Sequence, residues 1–214
     1  MKHEFFALYR LPSHTISLTK VASFLSRYGL AFAPKWSGAA YHYDGVEQIV
    51  EHRSRASWCT LLELEPRLAS GDFGYQTAII APYLSNAPLN FGLIELQGRP
   101  HVALELGHES LAHVHHELLT RGEGSEALLF GLHQTLAATD STLGWETSID
   151  TLAAVLAGTI NPNRFAELAN GSEIRFLLSD APGLAATMLK ERAYRRVSVS
   201  GLQPIVSWFP DFPR

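Results

Sequence analysis

Four segments rich in β-forming residues follow one another at 57–64, 76–84, 91–96 and 101–106, separated by stretches that contain Gly, Pro and Asn. Segments spaced this closely predict an antiparallel meander. The last two are joined by Gln97-Gly98-Arg99-Pro100, a connection short enough for a hairpin and the firmest local constraint on topology in the chain.

The flanking sequence supplies helices. Residues 3–10 are aromatic and apolar, end before Pro12, and predict a first strand. A helix follows, capped by Ser17 or Thr19, with Leu18, Val21, Ala22, Leu25 and Tyr28 at helical spacing before Gly29 and Pro34. A short strand over 39–43 and a helix capped by Asp44 and running through Val46, Ile49 and Val50 are expected next. Beyond the meander, 109–119, 125–138 and 148–156 carry helix formers with apolar positions three and four apart. Asn161-Pro162 opens a further helix through Phe165 and Leu168, which Asn170-Gly171 stops. The chain then returns to strand (173–178), helix (183–191) and strands (194–200 and 204–208).

Strands and helices segregated in this way predict an α+β fold. The sheet is expected to be mixed or largely antiparallel, with a helical layer inserted in the middle of the chain. No Pro/Gly/Ser-rich linker, low-complexity run or internal repeat divides the sequence, so one globular domain over 1–214 is expected. Composition agrees: 46% of the 214 residues are hydrophobic and 18% charged, enough apolar surface to bury a core without disulfide or metal staples.

Charge and cysteine usage narrow the partners. The formal net charge is −4, and the basic residues are spread out apart from short clusters at Arg53 and Arg55 and at Arg192, Arg195 and Arg196. Nucleic-acid binding needs a concentrated basic footprint, so the expected partner is a protein with a basic or neutral contact surface. Cys59 is the single cysteine and lies in an apolar stretch, which fits a reducing compartment. The apolar run at 5–8 is too short for a signal peptide, and nowhere do about 18 apolar residues run together. A cytoplasmic protein without a membrane span is expected.

Potential metal ligands are densest at 107–117, Gly-His-Glu-Ser-Leu-Ala-His-Val-His-His-Glu. A zinc-protease helix needs His-Glu-x-x-His. His108 and His113 are five apart, which rotates the second about 140° from the first. Glu109, His113, His116 and Glu117 do share one helical face and would hold a metal if a further ligand came from elsewhere. Leu111, Val114 and Leu118 form the apolar stripe of the same helix, and a solvated histidine flank accounts for the pattern more simply.

The run 121–129, Arg-Gly-Glu-Gly-Ser-Glu-Ala-Leu-Leu, resembles the acyl-coenzyme A loop of acetyltransferases in its glycines, and the resemblance implies a pyrophosphate site at a helix N-terminus. Aligning on Arg121 puts Glu126 where a small residue belongs, and aligning on Gly122 and Gly124 puts Leu119 where Arg or Gln belongs. A flexible turn into a helix capped by Ser125 is expected instead. Nucleophile elbows, Walker loops, dinucleotide fingerprints and Cys-x-x-Cys pairs do not occur.

Glu63, Glu65, Glu95 and Glu105 alternate with apolar neighbours on expected strands, and adjacent strands would gather them into one wet acidic face. Trp36, Tyr41 and Tyr43, and the tail residues Trp208, Phe209 and Phe212, are aromatic anchors for the core or for an interface. With no catalytic, cofactor or metal residues to assign, the expected function is a non-enzymatic protein-binding module of the inhibitor or immunity type. The alternative is a metal-dependent hydrolase or acyltransferase-like enzyme that uses the segment 108–117.

Overall fold

A computed structural model describes residues 4–38, 59–69, 74–84, 89–171, 173–179, 182–191, 194–198 and 201–207. Its frame is one antiparallel sheet of ten strands: β1 (Glu4–Arg10), β2 (Ala31–Phe32), β3 (Ser37–Gly38), β4 (Tyr75–Ile80), β5 (Leu89–Leu96), β6 (Arg99–Gly107), β7 (Asp140–Trp145), β8 (Ile174–Leu178), β9 (Tyr194–Arg196) and β10 (Ile205–Ser207). The spatial order is β2-β4-β5-β6-β1-β7-β8-β10-β9, with β3 also on β4. The α+β class with a largely antiparallel sheet is therefore what the chain adopts.

The expected meander exists as β4-β5-β6. Its hairpin turns on Gln97 (φ 53°) and Gly98 (φ 68°), the two left-handed residues of a tight turn whose twist matches the strands it joins. Residues 59–64 of the expected segment 57–64 do not form a fourth strand, and 57 and 58 lie outside the described residues. Cys59 makes one bridge to Trp36 and is buried, and α2 (Leu61–Ala69) follows. The Thr60 hydroxyl and the Glu63 carboxylate exchange hydrogen bonds with each other's backbone N–H, a reciprocal cap that starts a helix whatever the β propensity of Trp-Cys-Thr-Leu-Leu. The expected strand at 39–43, the helix from Asp44, Tyr41, Tyr43, Arg53, Arg55, Arg192, Trp208 and the rest of the tail lie outside the described residues.

Alternation along β1 sorts the molecule into layers. Phe5, Ala7 and Tyr9 face the larger core beneath α1 (Leu18–Ser26), α2, α3 (His108–Leu119) and α4 (Ser125–Thr135). Leu8 faces the second core beneath α5 (Ile149–Ala157), α6 (Pro162–Asn170) and α7 (Pro182–Lys190). The mid-chain helices thus divide between the two faces, because β7, which sequence patterning gave no strand, runs between α4 and α5. The first helical layer reaches residues from β4 to β8. On the other face α5 contacts β7 and β1, and α7 packs on α6, β9 and β10. Ile94 and Leu96 of β5 and Ala103 of β6 join this second core, while among the described residues no helix packs closely on this face of β4. Local caps fix the helices where expected: Ser17 accepts from the Lys20 N–H, Ser148 from Thr151, and Asn161 from Asn163 ahead of Pro162. Among the described residues no helix is long and apolar enough to cross a membrane.

Candidate functional site

Strand register lays three transverse rows of side chains on this second face. The first runs Ala78, Asn90, Glu105, Phe6 across β4, β5, β6 and β1, and the second runs Gln76, Gly92, Ala103, Leu8 across the same strands. The third runs Ile94, His101, Arg10, Asp140 across β5, β6, β1 and β7. Gly92 and Ala103 give the second row almost no height, so the sheet is hollow there. The hollow is a groove of about 380 Å³ closed at one end by Ser148 and Ile149 at the start of α5. A second depression of about 420 Å³, reaching Lys35 and Pro34, shares Gln76 and Asn90 with it, so the concavity continues towards the β2 edge. Ile80, 48% exposed, extends the apolar surface along β4.

The groove is apolar with a few placed polar groups. Asn90 Nδ2 donates to Glu105 Oε2 at 3.1 Å, and Glu105 is half-buried beside Phe6. Space above Gly92 is real: a Cβ there would meet Ile94 Cγ2 at 3.6 Å and the Ala103 carbonyl at 3.8 Å, ordinary contact. An apolar centre with a sparse polar rim is the composition of protein interfaces and of ligand clefts alike.

Row three is a buried polar clamp beyond the groove. Arg10 Nη2 donates to Asp140 Oδ2, and Nη1 donates to the Leu156 carbonyl at 2.8 Å at the end of α5. Ser179, after β8, donates to Asp140 Oδ1 at 2.7 Å. His101 is 3% exposed and donates from Nδ1 to the Arg99 carbonyl at 2.9 Å. Burial, aided by the charges of Arg10 and Arg99, pushes its pKa down to about 4, against the hydrogen bond to Arg99 and the Asp140 charge. On the opposite face His133 meets the Ser141 hydroxyl at 3.0 Å, and burial lowers its pKa too. Both imidazoles are neutral at pH 7.

Residues singled out in the sequence do not converge. On α3, Leu111, Val114 and Leu118 are buried while Glu109, His113 and His116 are exposed. Glu117 pairs with Arg121 at 2.9 Å. Among the described residues no three His, Cys, Asp or Glu side chains stand together as metal ligands would. In the turn before α4, Arg121 is taken by Glu117 and by the Arg27 carbonyl at the end of α1. Glu126 folds over Gly124 so closely that a Cβ there would lie 1.9 Å from its carboxylate, filling the place a pyrophosphate would need. Ser125 is not the N-cap of α4. Gly124 holds that position, and the Ser125 N–H and hydroxyl both meet His115 Nδ1, at 3.4 and 3.2 Å, so α3 holds the start of α4.

The acidic face does not assemble either. Glu63 and Glu65 are on α2, where Glu65 accepts from Thr19 at 2.8 Å. Glu95 and Glu105 occupy opposite faces of the sheet, and Glu95 reaches His14. Trp36 is fully buried with its ring against Phe32 and Phe91 and serves the core.

No family model matches the sequence, and no curated protein matches it. Among solved structures the chain is similar to one in the crystal structure of the toxic C-terminal tip of CdiA from Pseudomonas aeruginosa in complex with immune protein. The two share 11% identity and a TM-score of 0.34 over 71% of this chain and 91% of that one, a likeness that carries no argument.

Proposed function

We propose that this chain is a non-enzymatic protein-binding module, of the kind that inhibits or confers immunity to a partner enzyme or toxin, and that it binds through the grooved face of its sheet. The observation that carries the reading is the concavity over β4, β5 and β6: helices cover the other face from β4 to β8, while among the described residues that line the groove the polar ones are Gln76, Asn90, Glu105 and Ser148, set in an apolar surface. Blocking a partner requires shape and charge complementarity and no bond-making groups. The net charge of −4 suits a basic or neutral partner surface. A buried single thiol at Cys59 suits the reducing cytoplasm, and the shared sheet suits one globular unit.

Affinity capture from native cells tests the reading, with the wild-type chain beside Ala78→Trp, which from a half-buried position fills the depression that shares Gln76 and Asn90 with the groove. A single stoichiometric partner, lost in the variant and indifferent to chelators, is expected. Equal capture by both proteins moves the site elsewhere, and turnover of a small molecule without any partner overturns the reading. The groove volume favours one second reading, a small-molecule site, since pockets of this size hold such ligands. Native mass spectrometry of the freshly purified chain separates the two by the presence of a bound low-mass species.

A further inference from the structure

Glu105 decides what can lie in the groove. Its carboxylate meets one group among the described residues, the neutral Asn90 amide, and no cation. Around it stand Phe6 and the apolar floor. While the groove is open to water, solvent serves the free lone pairs. An occupant that covers the groove removes that water, and a purely apolar one would strand an ionised carboxylate, which opposes binding.

We infer that the groove accepts a partner segment carrying one lysine or arginine flanked by apolar residues, the cation pairing with Glu105. This inference rests on the protein-binding reading and specifies its contact. The geometry suits a cation twice over: Phe6 lies directly opposite Glu105 in register, so an ammonium or guanidinium that reaches the carboxylate also lies beside an aromatic ring. Apolar neighbours of the basic residue then fill the hollow above Gly92 and Ala103. Asn90 holds the Glu105 carboxylate in place, so the acceptor is oriented before the partner arrives, which limits the entropy lost on docking.

A displayed library of random nine-residue peptides, selected on the full chain, tests this. Wild type is expected to enrich peptides with Lys or Arg between apolar residues. The best of these, synthesised, is expected to bind Glu105→Gln at least tenfold more weakly and Glu105→Lys more weakly still. Replacing its basic residue by norleucine should weaken binding to wild type by a similar factor and barely change binding to Glu105→Gln. Far-UV circular dichroism confirms the fold of each variant, and the near-isosteric Glu105→Gln carries the test if Glu105→Lys is unfolded. Peptides enriched without a basic residue, or bound equally by Glu105→Gln, overturn the inference. If their binding is nonetheless lost in Ala78→Trp, the binding face stands and only the basic anchor falls. Self-association of the chain that Glu105→Lys abolishes would make a second copy the occupant and would also overturn it.

Discussion

Replacing Arg10 by Met tests the polar clamp as the tie between the sheet and α5. The Asp140 side chain is 6% exposed and that of Arg10 is 21% exposed. Removing the guanidinium leaves Asp140 with the Ser179 hydroxyl as its remaining hydrogen-bond donor among the described residues, frees the Leu156 carbonyl, and takes from the Thr139 hydroxyl one of its two hydrogen bonds to Arg10. Breaking a buried pair from one side costs about 3–5 kcal/mol, and the partial exposure of Arg10 favours the lower end, about 3 kcal/mol. With a urea m-value of about 3 kcal/mol per molar, the unfolding midpoint falls by about 1 M, followed through the fluorescence of the four tryptophans. Asp140→Asn alone should cost a comparable amount, and the double variant about 1.5 kcal/mol or more below the sum, because the partners fail together. A cost below about 1 kcal/mol for Arg10→Met, with additive behaviour in the cycle, would show that solvent already screens the pair and refute the argument.

His101 makes stability depend on pH. Its pKa is about 4 when folded against 6.5 when free, so between those values the unfolded chain holds the extra proton. Stability from this group is complete above pH 6.5 and is lost as pH falls towards 4, by roughly 3 kcal/mol at most. His101→Gln should flatten that part of a stability-against-pH curve, and an unchanged slope would assign the acid sensitivity to other groups. Gly131→Ala inverts the usual rule for helices. Alanine gains roughly 1 kcal/mol over glycine in a helix interior, but its Cβ would lie 2.4 Å from Phe24 Cζ, where α4 crosses α1. Overpacking at roughly 1–3 kcal/mol predicts net destabilisation, and a raised melting temperature would show that the ring moves aside freely.

Sequence patterning located what depends on neighbours in the chain. Gln97-Gly98 marked the hairpin, Ser17 and Asn161-Pro162 marked helix starts, and the helical spacing of Leu111, Val114 and Leu118 correctly left His113 and His116 outside. It missed β7, whose Asp-Ser-Thr-Leu-Gly-Trp has the polarity of a loop. That strand is buried between β1 and β8 because each polar side chain finds a distant partner: Asp140 in Arg10, Ser141 in His133, and Thr142 in the Phe176 carbonyl. At 57–64 composition favoured a strand, although Thr60 and Glu63 already spelled the reciprocal helix cap. The groove was invisible for a different reason. Phe6, Gln76, Asn90, Glu105 and Ser148 come from five elements, and only register between strands brings them together. Alternation did place Glu105 on a sheet face, but the three glutamates grouped with it turned out to lie elsewhere.

The position of β1 has a consequence for biosynthesis. The strand earliest in the described residues lies in the middle of the sheet, flanked by residues 99–107 and 140–145. A growing chain therefore offers residues 4–10 no partner until about a hundred residues have followed, and no second partner until β7 emerges. Pairings that distant close slowly, so Phe5, Ala7, Leu8 and Tyr9 stay open to chaperones, or to strands of other molecules, until residues 99–107 and 140–145 have emerged.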